Sequence, residues 1–96
     1  MSFLERKREW IESNPLRMWR RQKGIAQSDV AAALAISYHT VHRWEIGSAV
    51  PDNDTFELLS LLVGFSLGAS WKVWVERRPK LNTEEMECLE TSMTTA

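Results

Sequence analysis

The most constraining feature of this sequence is a connection of only three residues between two short helical segments. Residues 27–34 repeat apolar side chains at helical spacing and are rich in alanine, which favours a helix. Ser37 is a favoured N-cap, and it starts a second segment that ends before Gly47. Helices joined so tightly must cross at a steep angle, and the small Ala31 and Ala35 let their backbones approach.

A further helix is predicted before this pair, over residues 15–23. Asn14 followed by Pro15 is a helix start, because Asn accepts a hydrogen bond from a free backbone N–H and Pro pre-sets φ at the first helical position. Gly24 ends the helix, since glycine takes the left-handed conformation at least cost. An apolar stripe over residues 3–11 predicts a short additional helix at the N-terminus.

Beyond the pair, the sequence predicts one helix clearly and a second element whose type it leaves open. Pro51 and the acidic residues 52–54 start a helix that runs to about Val63, and its apolar residues cover more than one face, so we expect it to be largely buried. Residues 67–78 fit helical spacing but also alternate like a short strand; we favour a helix. Residues 81–96 are expected to be a disordered acidic tail or a weak helix.

Charge is distributed unevenly along the chain. The formal net charge of −1, taken alone, argues against a nucleic-acid binder. Residues 1–24 hold seven basic and three acidic residues, whereas residues 81–96 hold four glutamates and no lysine or arginine, so residues 1–80 carry +3. The charged clusters are equally compatible with ordinary solvated helix faces, and charge by itself therefore decides nothing.

Composition argues against several other classes of protein. Cys88 is the only cysteine and has no metal-ligand spacing around it, so we expect a reducing, cytoplasmic location. No export signal is visible, and the apolar stretch 58–71 is interrupted and too short to span a membrane. His39 and His42 lie three residues apart but have no further ligands nearby, so no metal is expected. The sequence shows no activated nucleophile, paired carboxylates or glycine-rich loop, and we expect neither an enzyme nor a cofactor.

Residues 16–66 resemble the Cro/C1-type helix-turn-helix family, the DNA-binding domain of phage repressors and many bacterial regulators. The resemblance is carried by five segments at the family's spacing: Gly24–Ala31, Leu34–Ser37, Thr40–Gly47, Pro51 and Leu58–Ser66. It implies an all-α fold, a compact five-helix domain similar to that of lambda repressor, here with a short N-terminal helical extension. We expect a DNA-binding domain over residues 1–80, with its core at 15–66 and its motif at 27–46, followed by the acidic tail 81–96.

Two positions depart from the family's pattern. Ala35 stands where the family usually has Gly, so a residue with a Cβ is expected to adopt positive φ at a cost of about 1 kcal/mol. Ala26 stands where the family often has Ser or Thr, which gives up about 1 kcal/mol of helix capping. Neither change removes a side chain that would face DNA.

The resemblance also implies roles on double-stranded DNA. Tyr38, His39 and Arg43 match the family's base-reading positions, at the start of a helix that enters the major groove. Contacts to phosphate are expected from Gln27, Ser37 and Thr40, for which plain helix capping is the alternative.

Two further pairs of residues are predicted from their positions. Arg20 and Glu45 lie where the family has a partly buried ion pair, although both could instead be exposed to solvent. Trp71 and Trp74 are guessed to form a homodimer contact, because a short chain with five tryptophans is expected to use some at an interface.

The function implied is that of a repressor that binds a palindromic operator as a homodimer. An alternative from another class is an antitoxin or other protein-binding module, whose acidic segment from Glu84 to Ala96 engages a protein partner. A third possibility is a helix-turn-helix that no longer contacts DNA, which the net charge of −1 favours.

Overall fold

The computed structural model describes residues 2–81, and within this range it contains six helices and no strand. The helices are α1 (Phe3–Glu12), α2 (Pro15–Lys23), α3 (Gln27–Leu34), α4 (Tyr38–Glu45), α5 (Asn53–Val63) and α6 (Gly68–Glu76). The predicted N-terminal extension is therefore α1, and the expected five-helix arrangement is α2 to α6. The acidic tail predicted over residues 81–96 lies, from residue 82 onward, outside the described residues.

The predicted helix ends carry the caps that their residue types suggest. The side chain of Asn14 accepts hydrogen bonds from the backbone N–H groups of Leu16 and Arg17, both at 3.0 Å, and Gly24 ends α2 at φ 68°. At the start of α5, Asp52 accepts from the N–H of Thr55 at 2.8 Å. Hydrogen bonds from the Thr55 side chain and backbone hold the pKa of the Asp52 carboxyl below its ordinary value. These local bonds fix where α2 and α5 begin.

Both departures from the family pattern have the expected local consequences. Ala35 adopts φ 55°, and it is the one residue other than glycine with positive φ within 2–81. Ala26 has no side chain that can cap α3, but the Asp29 carboxylate accepts a hydrogen bond from the Ala26 N–H at 3.1 Å. The helix start is thus stabilised from inside the helix rather than by the residue before it.

Residues 68–76 form a helix, which confirms the favoured interpretation of this segment and excludes the strand. α6 packs its two tryptophans inward: Trp71 is 1% exposed and Trp74 is 4% exposed. They join a core that also contains Leu16, Val30, Val41, Trp44, Leu59 and Leu67. The prediction that Trp71 and Trp74 form a dimer contact is therefore wrong, because this chain itself already covers both side chains.

The prediction that α5 is largely buried is also wrong. Leu59 is the one residue of α5 that is fully buried, whereas Leu58, Leu61 and Leu62 are exposed. The apolar residues cover more of the helix circumference than one packed face requires, and the other described helices contact only the Leu59 side. The far face of α5 is left open to solvent.

Two tryptophans tie the N-terminal helix to the C-terminal one. The rings of Trp10 and Trp74 stack at a centroid distance of 4.0 Å with an interplanar angle of 2°. Each indole N–H donates to the backbone carbonyl of the other residue, at 2.6 Å from Trp10 and 2.7 Å from Trp74. Both polar groups of this buried pair are therefore satisfied by the pair itself.

The same pair also reaches the end of α4. Gly47 adopts φ 80°, and a Cβ at this position would overlap the ring of Trp10. Arg78 lies over the Trp10 ring at 4.9 Å and donates a hydrogen bond to the Gly47 carbonyl. Only glycine fits this site, since it must combine positive φ with close approach to an indole ring.

Within residues 2–81, no single helix is long and apolar enough to cross a membrane. α5 and α6 together have the length and apolar composition of a membrane-spanning segment, but the chain bends by 112° between them.

Replacement of Trp10 tests whether α1 is an integral part of the fold. We expect Trp10→Ala to lower the free energy of unfolding by about 3–5 kcal/mol, since it removes both the stacking and the reciprocal hydrogen bonds. Leu4→Ala is the control, because Leu4 lies on the same helix and is 65% exposed; its effect should stay within about 0.5 kcal/mol. Urea denaturation followed by circular dichroism measures both, and equal stability of the two variants would contradict the assignment.

Candidate nucleic-acid interface

α4 presents its predicted base-reading residues to solvent. Tyr38, His39 and Arg43 are exposed, whereas Val41 and Trp44 on the opposite face are buried. The rings of Tyr38 and His39 lie side by side, with centroids 4.1 Å apart and planes tilted by 31°. These three side chains therefore share the accessible side of one helix, as contact with base edges requires; the contact itself stays a prediction.

An open cavity of about 580 Å³ lies at the start of α3. It is lined by Arg17, Arg20, Ala26, Gln27, Ser28, Tyr38 and His42. Gln27, the predicted phosphate contact, thus shares one concavity with a predicted base-reading residue and with two arginines. We call this surface the α3 concavity.

Ser37 and Thr40 lie outside the lining of the α3 concavity. The Ser37 hydroxyl accepts a hydrogen bond from the His39 N–H at 3.2 Å, so its capping role is present. Thr40 is partly buried, and its own N–H donates to the Ser37 carbonyl at 3.1 Å. Phosphate contacts from these two residues stay predictions.

A fully buried carboxylate binds several of the side chains that line the α3 concavity. Glu45, at the end of α4, is 0% exposed and receives two hydrogen bonds from Arg20, at 2.9 Å from Nε and 2.8 Å from Nη2. Arg20 also donates to the carbonyl of Ile25 at 2.9 Å. The predicted ion pair is confirmed, with the bidentate geometry that an arginine fork gives a carboxylate.

The same carboxylate holds two further residues of the concavity. The Gln27 amide donates to Glu45 at 3.3 Å and lies 3.5 Å from Nδ1 of His42. Nη1 of Arg17 approaches Glu45 at 3.5 Å. Because these side chains meet at one buried anion, Glu45 links α2 and the start of α3 to the end of α4.

Glu12 at the end of α1 adds a second anion at the edge of this network. It forms ion pairs with Arg17, at 2.9 Å, and with Arg21. The hydrogen bond from Arg17 is the main cause that lowers the pKa of the Glu12 carboxyl below its ordinary value, and the same bond raises the pKa of Arg17. Glu12 is therefore ionised throughout the neutral range, and its ion pairs weaken only as the pH falls through that lowered pKa.

Sequence reasoning missed Arg17, His42 and Glu12 as parts of this surface. Arg17 and Arg20 are three residues apart on one helix and therefore share a face, so their spacing could have placed Arg17 beside the predicted Arg20 pair. Glu12 gave no such signal, because its position depends on how α1 meets α2. Within the described residues there is no cluster of three or more His, Cys, Asp or Glu placed to hold a metal ion.

A family model described as helix-turn-helix matches residues 16–69, more than half of the chain. The match covers α2, α3, α4 and α5, and it stops at the second residue of α6. α1 lies outside it. Comparisons with curated proteins and with solved structures gave no match.

Removal of the buried charge tests the role of Glu45. Glu45→Gln keeps the side-chain shape but leaves Arg20 without its anion, and we expect the free energy of unfolding to fall by about 3–5 kcal/mol. Arg43→Ala on the exposed side of the same helix is the control, with an expected change of at most about 0.5 kcal/mol. Thermal or urea denaturation measures the stability of both variants against wild type. A Glu45→Gln variant as stable as the control would show that the network contributes little to the fold.

Proposed function

The chain belongs to the Cro/C1-type helix-turn-helix family, and we propose that it is a repressor that binds a palindromic operator in double-stranded DNA as a homodimer. Membership of this family of DNA-binding regulators supports transcription regulation in general terms. The single observation that supports DNA contact by this chain is the placement of Tyr38, His39 and Arg43 on the open side of α4, near the α3 concavity.

Arg43 is the residue on which we expect sequence selection to depend most. It lies on the exposed side of α4, and a guanidinium can donate two hydrogen bonds to O6 and N7 of a guanine. Such a bidentate contact contributes about 1–3 kcal/mol of discrimination between bases. His39 and Tyr38 can add single hydrogen bonds or an apolar contact with a thymine methyl group.

The α3 concavity has the chemistry that a backbone phosphate requires. The first N–H groups of a helix have no acceptor within it, and Ala26 offers none from a side chain. Gln27 and the guanidinium of Arg17 line the same concavity. A phosphate placed there would meet free N–H donors, the positive end of the α3 dipole and a cation together.

Repression, the palindrome and the homodimer belong together in this proposal. A single motif reads only a few base pairs, whereas two motifs related by a two-fold axis read half-sites about 34 Å apart on one side of the duplex. Binding at such a site blocks polymerase. The DNA-binding domain over residues 1–80 and the cytoplasmic location remain predictions of the same hypothesis.

A protein-binding role is the second candidate. The four glutamates between Glu84 and Glu90 motivate it, although they lie outside the described residues. A variant that lacks residues 82–96 separates the two roles. Unchanged DNA affinity would support the repressor, whereas loss of a co-purifying protein would support the antitoxin.

Arg43→Ala tests base reading. We expect wild-type protein, selected against a randomised duplex pool, to prefer one sequence and to bind it less tightly as salt rises. The variant should retain weak binding but lose the preference. Fluorescence anisotropy at two salt concentrations measures both. Lys72→Ala, the same change of charge outside the α3 concavity, should keep the preference; absence of wild-type binding to any duplex at low salt would refute DNA binding.

Glu12→Gln tests whether phosphate lies near Arg17 and Arg21. Loss of the anion releases Arg21 and leaves Arg17 paired with Glu45 alone. We therefore expect tighter binding to selected and random DNA alike, with the slope of log K against log salt steeper by about one. Glu9→Gln, the same change at an exposed position of α1, is the matched control. Equal effects of the two variants would indicate a general effect of net charge.

A further inference from the structure

One face of α5 carries exposed apolar side chains in a single stripe. Leu58 is 52% exposed, Leu61 is 81% exposed, and Leu62 and the following Phe65 are also exposed. Leu58, Leu61 and Leu62 are three and four residues apart, so they share one side of α5, next to the face that buries Leu59. Phe65 follows two residues after the end of the helix. We call these four residues the α5 stripe.

The α5 stripe continues into a groove of about 480 Å³ between α2 and α6. Phe65 lines this groove together with Met18 and Val73, which are also exposed. Most of the large exposed apolar side chains of the described residues thus lie on or beside one surface. Monomeric proteins rarely expose a contiguous apolar patch of more than a few hundred Å² unless something binds there.

We propose that a second copy of this chain binds to the α5 stripe, and that the two copies pair antiparallel about a two-fold axis. No charged residue occurs between Leu58 and Phe65, as the centre of a protein interface requires. A two-fold axis brings the same stripe from both copies together, so each apolar side chain meets another. A stable interface buries about 800 Å² per partner, and the groove residues Met18 and Val73 extend the stripe toward that area.

The charges at the two ends of this surface favour the antiparallel arrangement. Asp54 lies one helical turn before Leu58, at one end of the stripe, whereas Arg77 lines the groove at the other end, with Phe65. Antiparallel pairing directs Asp54 of each copy toward the Arg77 end of the other. A parallel arrangement would instead bring the two Asp54 carboxylates together, at an unfavourable energy.

The proposed interface leaves the α3 concavity free. α2 presents Arg17 and Arg20 to the concavity but Met18 and Gln22 to the groove, so the two surfaces lie on different flanks of one helix. DNA and a second copy can therefore be bound together. The inference names the dimer surface of the proposed function and rests on that function only for its biological purpose.

Sedimentation velocity of the full chain over a range of concentrations is the experiment that tests the proposal. We expect wild-type protein to form dimers and Leu61→Glu to raise the dimer dissociation constant at least about tenfold. Leu4→Glu, which places the same charge on an exposed leucine of α1, should leave the constant unchanged. Far-ultraviolet circular dichroism of each variant verifies that it is folded. A monomeric wild type, or a Leu61→Glu variant that still forms dimers, overturns the proposal.

A charge exchange tests the orientation. Asp54→Arg alone and Arg77→Asp alone should each weaken the dimer, and the double variant should recover the wild-type dissociation constant. Dimers lost on removal of residues 82–96 but retained in Leu61→Glu would assign the contact to the acidic segment and overturn the proposal.

Binding to a duplex that holds a single half-site separates this inference from the proposed function. If Leu61→Glu is monomeric and still binds the half-site as wild type does, both the DNA-binding function and the α5 interface are supported. If wild type binds DNA but is monomeric, the proposed interface is wrong and DNA binding stands. If wild type is dimeric but binds no duplex, DNA binding is wrong and the interface stands, because the dimer measurement contains no DNA.

Discussion

The position of α4 depends on one buried carboxylate. Glu45 has no contact with solvent, so its charge must be matched within the protein, and the fork of Arg20 matches it with two short hydrogen bonds. Gln27 and Arg17 also contact the Glu45 carboxylate. The electrostatic requirement of a single residue thereby fixes α2, α3 and α4 relative to each other, and with them the surface proposed to meet DNA.

α1 and the segment around α6 meet the chain just after α4, and α1 lies outside the residues that match the family. The stacked pair of Trp10 and Trp74 satisfies its own hydrogen bonds, and the absence of a side chain at Gly47 lets the indole of Trp10 approach the backbone two residues after α4. Glu12 brings the end of α1 to two arginines beside the α3 concavity. The additional N-terminal helix therefore both supports the motif and adjusts the charge of its surface.

The described helices leave two surfaces with opposite chemistry. One is polar and cationic, around Arg17 and Gln27 at the start of α3; the other is apolar, along the α5 stripe. A protein that must read a two-fold symmetric site needs both kinds of surface, and it needs them on different flanks so that they can be occupied together. α2 separates the two surfaces, because its arginines and Met18 point to different sides.

Residue types and spacing were enough to predict the local features: the Asn14 and Asp52 caps, the end of α2 at Gly24, the positive φ of Ala35 and, through the family's spacing, the pair of Arg20 and Glu45. Each depends on interactions between near neighbours in the chain or on a motif with fixed spacing. That Trp74 is buried while Leu61 is exposed, and that Glu12 lies beside Arg17, follows instead from how the helices pack in three dimensions. Periodicity shows which side chains are apolar, but which helix covers them depends on packing between segments far apart in the sequence.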